Sequence, residues 1–98
     1  MISREDFIFT VGFSGNTAIV SKSMTNRFKR LNAQELAEKG FFKPAVFMAY
    51  YDESPEDLEK VLACYNEGNK YPLESVEKLR RTFGLLENVD DIDRILYI

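Results

Sequence analysis

The chain contains no histidine and no tryptophan, and only one cysteine, Cys64. Without an imidazole it lacks the commonest general base near neutral pH and the commonest metal ligand. A Ser-His-Asp or Cys-His catalytic arrangement therefore cannot be built within one chain. One thiol and no imidazole are too few ligands for a structural zinc site, so neither a metal nor a cofactor is expected. A single cysteine excludes an internal disulfide, which fits a reducing, cytoplasmic location. No run approaches the ~20 apolar residues of a membrane span. The first residues show no basic stretch leading into an apolar run and a small-residue cleavage site, so no signal peptide is expected.

What is present has the composition of a globular domain. Of 98 residues, 45% are hydrophobic and 30% charged, which points to one domain over residues 1–98. A chain of this size buries roughly 60–70% of its unfolded surface, enough for one modest core. Eight phenylalanines and five tyrosines make that core aromatic-rich. The net charge of −3 argues against a nucleic-acid or anionic-membrane partner. The charge is unevenly spread. Residues 22–43 carry Lys22, Arg27, Lys29, Arg30, Lys39 and Lys43 against Glu35 and Glu38, a net +4, whereas residues 44–69 carry a net −5. Segments of opposite sign can attract one another or form opposite faces of one domain.

Helix-start signals recur. Ser3 precedes Asp6, and Asn32 precedes Glu35, by the three residues of a capping box, with apolar residues on either side. Ser54-Pro55-Glu56-Asp57 is a third start, with proline at the first helical position. The first signal favours a helix over residues 3–12, ended by Gly12 or Gly15. Against it, Phe7, Phe9, Val11 and Phe13 alternate, and Ser14-Gly15-Asn16 is a fair hairpin loop into Thr17–Val20. On the helical reading Asn16 caps a second helix, along which Val20, Met24, Phe28 and Leu31 form one stripe. Helices follow at about 33–39, 42–51 and 55–66, and a sixth carries Leu73, Val76, Leu79 and Phe83 up to Gly84. The last stretch reads either as a short helix begun by Asn88 and Asp91 or as a strand over Arg94–Ile98. Together these signals predict an all-α bundle of five or six short helices with residues 42–51 at its centre. The alternative is α+β, with strands from 7–20 and 94–98.

Few residues suggest chemistry. Cys64 has no basic neighbour in sequence, with Glu67 and Lys60 three and four residues away, and reads as a packed small side chain. Asp52, Glu53, Glu56 and Asp57 lack the ligand spacing of a calcium loop and read as helix-capping acids. Gly12–Thr17 resembles an anion-binding turn before a helix, without the lysine and glycine spacing of a P-loop. Glu35–Gly40 resembles the first helix and turn of a helix-turn-helix, but the recognition helix would be Phe42–Tyr51. That segment offers one lysine and is otherwise apolar nearly all round, which suits burial rather than base readout. Lys22, Arg27, Lys29 and Arg30 remain as candidate anion or nucleic-acid contacts. Phe41, Tyr50 and Tyr51 remain as a candidate interaction surface, since aromatics concentrate at interface centres. The expected function is therefore a non-enzymatic protein-interaction or regulatory domain, acting on a protein partner or on a second copy of itself. A nucleic-acid binder using residues 22–43 is the alternative. A small carboxylate-based enzyme comes third.

Overall fold

The computed structural model describes residues 2–84 and 92–98. Their order is α1 (Arg4–Ile8), β1 (Thr10–Ser14), β2 (Thr17–Val20), α2 (Lys22–Phe28), α3 (Ala33–Glu38), α4 (Phe42–Tyr51), α5 (Pro55–Glu67), α6 (Val76–Thr82) and β3 (Arg94–Tyr97). The fold is α+β. The three-stranded sheet, ordered β1-β2-β3, overturns the all-α bundle and fits the stated alternative. Arg94–Tyr97 is a strand, so no helix runs through Ile95 and Leu96; its suggested start at Asn88 and Asp91 lies outside the described residues.

The correction has a local cause. Both readings of residues 3–20 are realised, one after the other. Ser3 Oγ accepts from the Asp6 backbone N–H at 3.2 Å, and one short turn buries Phe7 and Ile8. The hydroxyl of Thr10 then donates to the Asp6 carbonyl at 2.8 Å and closes that turn. From Thr10 the alternating pattern takes over, and the chain turns back at Gly15, whose φ of +60° favours glycine. Neither Gly12 nor Gly15 ends a helix. Asn16 caps none either: its carbonyl accepts from the Asp93 N–H at 3.0 Å and so anchors the incoming β3. Ser21 caps α2 instead, accepting from Met24 N–H at 3.3 Å. The stripe from Val20 to Leu31 thus begins on a strand and continues on a helix.

β1 and β2 pair antiparallel, with Thr10 opposite Val20 and Gly12 opposite Ile19. Val11 is therefore an extra residue, a β-bulge. β2 and β3 pair parallel, from Thr17 opposite Arg94 to Val20 opposite Tyr97. A parallel pair requires a long crossover, and α2 to α6 provide it.

The remaining starts behave as read. The full capping box forms at α3: Asn32 Oδ1 accepts from Glu35 N–H at 2.8 Å, and Glu35 Oε1 accepts from Asn32 N–H at 3.1 Å. Ser54 caps α5, with Pro55 in its first turn. Gly40, at φ +85°, lies between α3 and α4 and lets the chain reverse there. α4 is the centre of the helical layer. Pro44 through Ala49 are all buried, and α1, α3 and α5 pack against this helix. Phe47 stacks on Phe7 at 5.1 Å and on Phe13 at 6.1 Å, joining α1 and β1 to the helices. Among the described residues no helix is long and apolar enough to cross a membrane.

Candidate functional site

The bulge and the start of α4 together make a groove of about 280 Å³. Ile8, Phe9, Thr10 and Val11 form one wall, at the junction of α1 and β1. Gly40, Phe41 and the first turn of α4 line it as well, together with Met24 of α2 and Phe83. Among the described lining residues only two side chains, Thr10 and Lys43, carry nitrogen or oxygen, and Thr10 already donates to the Asp6 carbonyl. Phe41 is held in the wall by Phe28, whose ring centre lies 4.6 Å from its own.

Lys43 is explained by the bulge. An extra residue in a strand leaves a carbonyl outside the ladder, and Lys43 Nζ donates to that carbonyl, Val11 O, at 2.8 Å. The ammonium also lies 5.8 Å from the centre of the Phe47 ring. Burial against these apolar neighbours pulls the amine below the usual lysine pKa. Among the described residues lining the groove, Lys43 is the sole titratable side chain. The groove therefore offers an apolar seat with one cationic donor, and no acid–base pair.

A second hollow, of about 270 Å³, lies between α3 and α5 and is lined by Gln34, Glu38, Lys60, Ala63, Cys64 and Glu67. Burial, with Glu67 and then Glu38 adding their negative charge, pushes the Cys64 thiol upward. That is the opposite of an activated nucleophile.

The residues singled out from sequence do not converge on one site. Phe41 lines the groove, but Tyr50 and Tyr51 lie at the other end of α4, on the order of 14 Å away along the helix axis. There both pack against Phe7, at 6.3 and 5.5 Å, and Arg80 stacks 4.4 Å over Tyr50. Lys22, Arg27, Lys29 and Arg30 are exposed on and just after α2. Lys22 Nζ sits 4.4 Å over the Tyr97 ring, and Arg27 5.2 Å over Phe28. Of the acids, Asp52 is paired with Arg4 through two bonds of 2.7 and 2.8 Å, and Glu56 lies 3.9 Å from Lys60. Among the described residues no three histidine, cysteine, aspartate or glutamate side chains gather as metal ligands. Gly12–Thr17 leads into a strand, so the helix that would complete an anion-binding turn is absent there. Lys43, Met24, Val11 and Phe83 were missed as site residues. Their one visible signal was a lone cation inside the most apolar stretch of the chain. No protein-family model, curated protein or solved structure matches the chain.

Proposed function

We propose that the chain is a non-enzymatic protein-interaction domain of the cytoplasm, which seats an apolar side chain of a partner protein in the groove beside Phe41. The observation behind this reading is the groove itself: about 280 Å³, walled by aromatic and aliphatic side chains, with Lys43 as the one cation among its described lining residues. Sites of this kind take an apolar group and use a few polar atoms to orient it. An aromatic held in place by a neighbour, as Phe28 holds Phe41, is the kind of residue that carries binding energy at interface centres. Among its described lining residues the groove has no pair of titratable side chains for acid–base chemistry, which supports a binding role over a catalytic one. The reducing location is supported by the free thiol of Cys64.

A neutral aromatic probe tests the reading without knowledge of the partner. N-benzylacetamide titrated into the labelled protein should shift the Met24 methyl and the Phe41 and Phe83 amides along one saturable curve. No saturable shift there, or shifts confined to other surfaces, would refute it.

Self-association is the second reading, and β3 favours it. Leu96 is 54% exposed, Tyr97 45% and Ile98 67%, and among the described residues no strand pairs with the outer side of β3. Such an edge is a template for another strand. Light scattering during gel filtration decides the point: a monomer at high concentration removes this reading, and a dimer that the exposed-face change Leu96→Lys dissolves supports it.

A further inference from the structure

Among the described residues, the side chains that line the groove carry charge of one sign. Lys43 is the sole charged side chain lining it among the described residues. α2, which supplies Met24, carries Lys22 and Arg27 and no acid, and Lys29 and Arg30 follow it directly. Lys22 and Arg27 are exposed, Lys22 over the ring of Tyr97, whose hydroxyl donates to Asp6, and Arg27 over Phe28. The acids of the same stretch are occupied elsewhere. Glu35 completes the α3 capping box, and Glu38 lines the second hollow, where it accepts from Gln34 Nε2 at 3.2 Å. An ammonium has three N–H donors, and the Val11 carbonyl takes one of Lys43's. Burial has already stripped part of this cation's hydration and lowered its pKa. An anion arriving beside it therefore gains more than it would at an open surface.

We infer that the partner segment is acidic: an apolar side chain seated between Phe41 and Met24, flanked by an aspartate or glutamate whose carboxylate accepts from Lys43 Nζ, with further acids drawn to the solvent face of α2. This rests on the docking reading above and specifies the chemistry of its partner. The groove supplies the anchor site, and the basic segment supplies approach and orientation, since complementary charge speeds encounter and fixes register.

The test uses the full chain and three acetylated, amidated pentapeptides, followed through the Met24 methyl signal. The first has leucine and phenylalanine between aspartates. The second replaces every aspartate by asparagine. The third keeps the aspartates and replaces leucine and phenylalanine by alanine. The first should bind about tenfold tighter than the second, a difference of about 1.4 kcal/mol, and the third should give no saturable shift. Lys43→Met preserves length and apolar bulk, and should remove most of the difference in affinity between the first and second peptides. Lys22→Glu with Arg27→Glu, both on exposed positions, should weaken the first peptide most at low salt. Equal binding of the first two peptides would overturn the acidic partner and leave the groove reading standing. Absence of any Met24 shift with all three would overturn both. Displacement of the first peptide by a ten-residue oligothymidylate would overturn it in favour of phosphate recognition.

Discussion

The two hollows of this domain are nearly equal in size, about 280 and 270 Å³, and opposite in chemistry. One is walled by rings and aliphatic chains with a single amine. The other has amide, carboxylate, amine and thiol around one small alanine. The second is what two amphipathic helices leave between their solvent-facing edges, and water can fill it without loss. Water gains little in the first, where it finds few hydrogen-bond partners. Volume does not distinguish a seat from a gap; the distribution of polar atoms does. The difference traces to the backbone. The polar hollow lies between regular helices, whereas the apolar groove is lined by the strand bulge at Val11 and the glycine turn before α4.

Several substitutions should break or sharpen this contrast. Phe47→Ala should have the largest effect. Its fully buried ring supports α1, β1 and the helical layer together, and its loss should cost about 3–5 kcal/mol. That is a large share of a small domain's stability, so both hollows should disappear in one transition, measured by chemical denaturation. Phe41→Ala should cost less, about 2 kcal/mol for a half-buried ring. It should abolish binding of the neutral aromatic probe while leaving the Cys64 environment unchanged. At the polar hollow, Cys64 should react with iodoacetamide at pH 7 more slowly than a small free thiol, with the rate climbing only above the ordinary thiol pKa. Glu67→Gln should speed it, because that carboxylate helps hold the thiol protonated; a thiolate already present at pH 7 would break the comparison. The smallest effect belongs to Arg4 and Asp52, which clamp α1 to the end of α4 and touch neither hollow. Their hydrogen bonds hold the Asp52 carboxyl below its usual pKa. The pair should therefore stabilise the fold above the ordinary carboxylate pKa and lose that contribution as pH falls through the lowered value. Because both side chains are well exposed, Asp52→Asn should cost less than about 1 kcal/mol at pH 7 and nothing once the acid is protonated.

Much of the helical layer was legible in the sequence because capping is a local act. Ser54, Asn32 and Gly40 each act on residues within a turn of themselves, and α3, α4 and α5 fall close to where their signals placed them. The sheet was harder to read because pairing is not local. Nothing between Ser14 and Val20 says that Arg94–Tyr97 will lie alongside, and without that third strand a two-strand hairpin is marginal. The capping serine at residue 3 was a true signal, but its reach ended at Ile8, and propensity alone cannot say where a helix stops when a bulged strand follows. Phe41 stood out in the sequence as a candidate aromatic, and the structure puts it in the groove lining. Its separation from Tyr50 and Tyr51 was not legible, since all three sit in one apolar stretch whose two ends meet different neighbours. Lys43 could be seen as an anomaly. Its meaning depends on the Val11 carbonyl, which becomes free only once the bulge forms.

The placement of β3 beside β2 has a consequence for synthesis. A ribosome makes Thr17–Val20 early and Arg94–Tyr97 only after every helix between them. Until then one flank of the hairpin stays bare, and bare strand flanks attract other nascent chains. Slowing translation across the helical stretch should therefore lengthen the interval in which this protein is most prone to aggregate.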